Sequence, residues 1–265
     1  VEKYFGWRMT FMIVGLPGIL LAALLYFTVK EPARRIAAES KENKVPMKEV
    51  ISTIFKLKSF RYFSFACAMS GFVSYGVGNF MPSYLARSHG MSGDQIGLFL
   101  SMASLFGGVT GTILGGYLVD KIGKKDVRWY LWLPGITAFL AVPIMLWVYQ
   151  TDNTTAIIWV YVIPYLLGTM YLGPSIAVAH MLVGPNMRAM ASAILLLVLN
   201  LIGLGLGPVA IGFLSDVLQE TYGTDGLRHA MTIGSTIALA KAYLFWKGGQ
   251  ALPADLAKVK QQREE

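Results

Sequence analysis

Residues 116–125 read GYLVDKIGKK, with Gly116, Asp120, Lys121 and Gly123 followed by the basic pair Lys124 and Lys125. The stretch closes an apolar run that begins near Ile96, and Gly107, Gly111 and Gly115 precede it at four-residue spacing. Small residues four apart strip one face of a helix of side chains, so a second helix can approach backbone to backbone. An acid at the end of such a run can accept hydrogen bonds from a neighbouring helix amino terminus or a basic side chain. Gly123 suits the left-handed geometry of a tight turn. The pattern describes a closely packed membrane helix that turns sharply at a charged surface.

The rest of the chain has the same character. Of 265 residues, 55% are apolar and only 14% charged, and the mean hydropathy is +0.53, which excludes a soluble domain of ordinary composition. A membrane-crossing helix needs about 20 apolar residues, and seven segments qualify, at 9–29, 62–85, 96–119, 129–149, 156–183, 189–214 and 229–246. The last is short and carries Lys241. A single cysteine, Cys67, leaves no intramolecular disulfide, redox pair or thiolate metal cluster. In a soluble protein the net charge of +8 would point to nucleic acid. In a membrane protein the placement of the charge governs, and no nucleic-acid partner is expected.

That placement alternates. Of the 23 Lys and Arg, 18 fall on one side. They lie between the first two spans (Lys30 to Arg61), in the loop Lys121 to Arg128, at Arg188, and from Lys247 to Arg263. The other side holds Lys3, Arg8, Arg87 and Arg228. Since basic residues accumulate on the cytoplasmic face, the amino terminus is expected outside and the carboxyl terminus in the cytoplasm of a bacterial inner-membrane protein.

The chain starts at Val1 with no leader or cleavage pattern, and reads as a fragment of a longer polypeptide. The expected organisation is a first helix (1–29), a polar linker (30–61), a compact six-helix bundle (62–247) and a cytoplasmic tail (248–265). Within the linker, Met47, Val50, Ile51, Ile54 and Leu57 recur at spacings of three and four between Lys44, Lys48, Thr53 and Lys56. This predicts an amphipathic helix, either lying on the inner leaflet or simply leading into the next span.

The motif at 116–125 resembles the loop signature of the major facilitator superfamily, Gly-x-x-x-Asp-Arg/Lys-x-Gly-Arg/Lys-Arg/Lys. The resemblance implies an all-α membrane fold in which the seven spans are the sixth to twelfth of twelve helices. They would form the C-terminal six-helix bundle and the last helix of the N-terminal bundle, with the missing N-terminal half as partner. It further implies that Gly116, Asp120, Lys121, Gly123, Lys124 and Lys125 stabilise one gated state and do not bind substrate. Residues 6–32 (GWRMTFMIVGLPGILLAALLYFTVKEP), 78–85 (GNFMPSYL), 188–193 (RAMASA) and 200–216 (NLIGLGLGPVAIGFLSD) resemble bacterial Spinster-like transporters. That likeness implies movement of a lysophospholipid or sphingosine-phosphate-like substrate, coupled to protons, with membrane lipids as further partners. Apolar walls suit drug efflux as well.

Transporter sites sit near the bilayer midplane, where helices are interrupted. The second, fifth and sixth spans carry the interruptions: Gly71, Gly76, Gly78 and Pro82; Pro164, Gly168, Gly173 and Pro174; and Gly203, Gly205, Gly207 and Pro208. Candidate substrate contacts are Tyr75, Asn79, Tyr165, Thr169, Tyr171 and Asn200. For Asn79 and Asn200 the alternative is an interhelical hydrogen bond, and for the tyrosines it is packing. His180 is either a titrating group or a satisfied packing histidine. No acid lies inside a span, since all 15 fall in loops, tails or span ends. Any coupling carboxylate therefore belongs to the missing helices, unless His180 replaces it or coupling is absent. Arg188 is a further gating candidate, positioned to pair with Asp120 in one conformation and release it in the other.

Other classes fare worse. Seven spans with a lysine in the last also describe a retinal protein, with Lys241 as Schiff base, but the required carboxylate counterion is missing. Lys241 is instead expected to snorkel to the nearby cytoplasmic surface. A non-transporting scaffold or regulator is a further reading. Enzyme motifs are absent, and His89, His180 and His229 lack ligand spacing, so neither a cofactor nor a metal is expected. The sequon at Asn153 and Thr155 lies in a loop too short to leave the membrane surface.

Overall fold

The computed structural model of the chain describes residues 2–29 and 45–264. The expected linker residues 30–44 lie outside the described residues. Two compact units are present, Val1–Lys44 and Val45–Glu265. The described part of the first is α1 (Glu2–Thr28), a helical run kinked at Gly6, whose φ of 71° is not helical, with Phe11, Leu16, Leu20 and Leu24 exposed. A helix apolar on all sides suits a hydrocarbon environment.

The second unit begins with α2 (Met47–Lys56), the amphipathic helix expected from the three-and-four spacing. Its apolar face is committed to protein, because Val50 and Ile54 are fully buried against α3 (Lys58–Gly71) and α11 (Arg188–Tyr222). Met47 and Ile51 stay exposed.

From α3 the chain continues through a π-helical segment (Phe72–Val77) and a 3-10 turn (Gly78–Phe80) into α4 (Met81–His89). Gly90, at φ 61°, closes α4 in the left-handed conformation that its missing Cβ allows. Ser92 and Gln95 form a capping box that starts α5 (Gly93–Met102), which passes through a second π-helical segment (Ala103–Val109) into α6 (Thr110–Ile122). There follow α7 (Trp129–Gln150), α8 (Thr154–Val160), α9 (Val162–Thr169), α10 (Leu172–Met181), α11 and α12 (Gly226–Glu264). Asn153 caps α8 by accepting the Ala156 N–H at 3.1 Å, which gives the sequon asparagine a structural task.

Helical runs therefore cover all seven expected spans. Five stretches are long and apolar enough to cross a membrane, the last holding both α11 and α12. The expected span 62–85 is not among them. Ser59, Ser64 and Ser70 dilute the apolar character of α3, yet they are buried beside Phe60, Phe63 and Cys67. The Ser64 and Ser70 hydroxyls donate to the Arg61 and Ala66 carbonyls of their own helix, so burial leaves them satisfied.

Two expectations about helix breaks change. The sixth span is uninterrupted, since α11 runs 35 residues straight over Pro208. The third span, expected to be regular, contains the π-helical segment 103–109. In addition, α12 does not stop at the expected bundle edge near Lys247. It continues to Glu264 with Leu252, Asp255 and Val259 buried.

Glycines set two close crossings. Between α3 with its π segment and α11, a Cβ on Gly71 would meet the Leu199 carbonyl oxygen at 2.9 Å, and one on Gly76 would meet that of Gly207 at the same distance. Along α6 and the segment before it, a side chain at Gly107, Gly111 or Gly115 would run into the backbone of 162–170. The four-residue glycine spacing is thus the contact face for α9 and its junction with α10.

Candidate functional site

Two buried apolar clusters occupy opposite ends of the second unit. One contains Val50, Ile54, Phe60, Phe63, Leu182, Leu195 and Phe245, and the other Tyr84, Leu85, Phe99, Tyr149, Ile157, Tyr161 and Met231. Between them lies a cavity of about 240 Å³. The α3 region contributes Ser70, Val73, Ser74, Val77 and Gly78, α6 contributes Thr112, and α7 contributes Met145 and Tyr149. The broken pass α8–α10 supplies Tyr161, Pro164, Tyr165, Gly168, Thr169, Tyr171 and Leu172. Lys241 of α12 completes the wall.

Several helix interruptions border this cavity. Met170, at ψ 0°, and Tyr171 separate α9 from α10, and Tyr171 lines the cavity. Tyr161 separates α8 from α9, and its ring lies 5.8 Å from that of Tyr165. The Thr169 hydroxyl donates to the Leu166 carbonyl at 3.0 Å.

Of the expected substrate contacts, Tyr165, Thr169 and Tyr171 come together here. The other three are elsewhere. Tyr75 packs against the first apolar cluster. Asn79 is exposed, away from the wall. Asn200 is exposed too, and donates to the Leu196 carbonyl at 2.8 Å, a bond within its own helix rather than between helices. His180 meets the Ser192 hydroxyl of α11 at 2.7 Å, the satisfied packing arrangement.

Lys241 is where sequence reading missed most. Instead of snorkelling, it is 5% exposed, with Nζ 4.9 Å from the centre of the Tyr171 ring. Its side chain turns toward the Tyr171 ring and the cavity instead of running along the helix to the surface. A lysine among apolar residues in the final span was the available signal.

At the motif, Asp120 accepts a hydrogen bond from the Tyr130 hydroxyl of α7 at 3.2 Å. Among the described residues neither Asp120 nor Arg188 has an ion-pair partner. Lys121, Lys124, Lys125 and Arg188 are exposed. Gly123 is not left-handed: it has φ −64° and ψ −19°. It is needed for space, because a Cβ there would collide with the Tyr130 ring. Gly116 has nothing within 4 Å of a Cβ position and carries no such constraint.

At the opposite end, Arg228 donates to the carbonyls of Tyr149 and Gln150, closing the carboxyl end of α7, and pairs with Asp152 at 3.0 Å. His89 bridges the Tyr84 hydroxyl at 3.0 Å and Thr154 Oγ1 at 3.1 Å. Burial and the Arg228 guanidinium hold the His89 pKa below its ordinary value, partly offset by Asp152. Among the described residues no group of His, Cys, Asp and Glu could hold a metal ion.

A sequence model of the Major Facilitator Superfamily matches residues 3–208. An "MFS-type efflux pump" of Mycolicibacterium smegmatis is 29% identical over 245 residues, covering 91% of this chain and 56% of the pump. A "Cis,cis-muconate transport protein" of Acinetobacter baylyi is 29% identical over 185 residues, covering 66% of this chain and 44% of that protein. The crystal structure of a bacterial homologue of the human lysosomal transporter Spinster, inward-facing and unoccupied, superposes with a TM-score of 0.75 at 26% identity. The alignment covers 96% of this chain and 61% of that one. The chain thus spans about half to three fifths of the length of these relatives, each of them a transporter and not an enzyme.

Proposed function

The chain belongs to the major facilitator superfamily, and we propose that it supplies the C-terminal bundle of a secondary transporter that moves an amphipathic, lipid-like substrate by alternating access. The observation that carries this reading is the 240 Å³ cavity at the helix interruptions, walled by Tyr149, Tyr161, Tyr165 and Tyr171 together with Val73, Val77, Met145 and Leu172. Tyrosines offer apolar ring faces and a hydroxyl, which suits a ligand with an acyl part and a polar head better than a sugar. Tyr165, Thr169 and Tyr171 are its substrate contacts in this reading.

The positive side of the chain, which bears the 116–125 motif, faces the cytoplasm. Asp120 and Arg188 are separate here and pair in the alternate state, locking the bundles between strokes. Protons drive the cycle through a carboxylate in the amino-terminal half, consistent with the acid-free cavity wall of this bundle.

Gradient-driven uptake into proteoliposomes of a fluorescent lysophospholipid, compared with ethidium, tests the reading. Lysolipid uptake that collapses with a protonophore is the expected result. Ethidium uptake alone would favour drug export, the reading supported by the efflux pump aligned over 91% of this chain. Uptake of neither above protein-free vesicles would overturn transport.

A further inference from the structure

Lys241 sits fifteen residues into α12, about 22 Å along the helix axis from Gly226. Charged side chains buried inside a membrane bundle, as this one is, are costly and rare unless they have a task. This one has no carboxylate beside it: among the described residues Lys241 makes no ion pair and no hydrogen bond, and the groups it interacts with are the Tyr171 ring face and the buried Cys67 thiol. A ring face offsets only part of the cost of removing an ammonium from water.

The surroundings deepen the contrast. The side chain is 5% exposed, and it lines the cavity rather than the lipid-facing surface. No other lining residue is charged. The Ser70 and Thr169 hydroxyls in the same wall donate to the Ala66 and Leu166 carbonyls, and neither is hydrogen-bonded to Lys241. Lys241 thus presents three N–H donors to the cavity, without an acceptor from the protein.

We propose that Lys241 is the anion-docking group of this cavity, holding a compact oxyanion, a carboxylate or a phosphate, of the substrate. The apolar part of that substrate lies along the tyrosine wall, and the Tyr171 ring fixes the ammonium in position. The inference rests on the cavity being the substrate site, and it adds that the substrate must carry a negative charge on its head. A buried cation without a counterion selects anions on energetic grounds, because a neutral head leaves the ammonium uncompensated while a cationic one adds repulsion.

The test is equilibrium binding of three eight-carbon probes, octanoate, octyl phosphate and octanol, to the full chain in nanodiscs, with empty nanodiscs as background. Both anions should bind about 10- to 100-fold more tightly than octanol, the span of a charge-assisted hydrogen bond. Lys241→Met should abolish that preference while leaving octanol binding in place, and Lys241→Arg should retain it. Lys241→Gln provides the same readout should the methionine variant fail to fold. The ranking of the two anions identifies the headgroup, and either order supports the proposal. Equal binding of octanol and the anions by the unmodified chain, or a preference that survives in Lys241→Met or Lys241→Gln, would overturn anion docking and leave the cavity reading intact. Binding of none of the three would overturn both.

Discussion

The Asp255 carboxylate accepts two hydrogen bonds from Ser59, the backbone N–H at 2.7 Å and the hydroxyl at 2.8 Å. Ser59 is the second residue of α3, where backbone N–H groups lack partners within the helix. Asp255, 2% exposed near the far end of the chain, therefore caps the start of α3 from α12. Lys258, 3.7 Å away and largely exposed, adds a weaker charge.

Replacing Asp255 by Ala should cost about 1–3 kcal/mol, because a buried N–H and a hydroxyl both lose their acceptor. Asp255→Asn keeps one amide oxygen and should cost less, and Lys258→Ala should be near neutral. Thermal unfolding of the purified protein in detergent reads all three. Equal melting of Asp255→Ala and the unmodified chain would remove the capping role.

The glycine seam makes a second prediction. At Gly111 an added methyl group runs into the Leu166 carbonyl, part of a backbone that cannot step aside. Gly111→Ala should lower stability by about 1–3 kcal/mol, the usual cost of overpacking. Gly116→Ala, with nothing within 4 Å, should be neutral or slightly stabilising. A parallel pair of melting curves decides it.

His89 ties stability to pH. Its folded-state pKa is lowered, first by burial and then by Arg228, so the fold favours the neutral ring. That contribution is complete above the unfolded value of about 6.5 and is lost as pH falls from there through the folded pKa. The melting temperature should therefore fall between pH 7.5 and 5, and His89→Gln should flatten that slope. An unchanged slope in the variant would place the pH dependence elsewhere.

The last prediction concerns the proposed gate. If Asp120 and Arg188 pair in the alternate state, Asp120→Lys should shift the transporter toward the state described here, in which they are apart. Distances between spin labels on the two bundles measure that population. No shift would remove the pair from the mechanism.

Much was legible in the residues themselves. The Gly107, Gly111 and Gly115 spacing gave a helix contact, and the motif at 116–125 gave the family, because absent side chains and turn chemistry are local properties. Apolar length located the seven helical runs. The direction of side chains was not legible. In a membrane helix both the lipid-facing and the core-facing residues are apolar, so α11 exposes Leu197, Leu201 and Leu204 while burying Ile194, Leu195 and Leu199 with no contrast in composition. Without that contrast the phase of Tyr75, Asn79 and Asn200 could not be read, and two of the three reached neither the cavity nor another helix. Gly123 was read as a turn because a sequence shows a missing Cβ but not the Tyr130 ring that needs its space. Lys241 is expected at the surface for the same reason, since the face of α12 that meets protein is not marked in its composition. Only the folded bundle turns its side chain toward the Tyr171 ring and the cavity wall, and so decides whether a lysine ends in water or in protein.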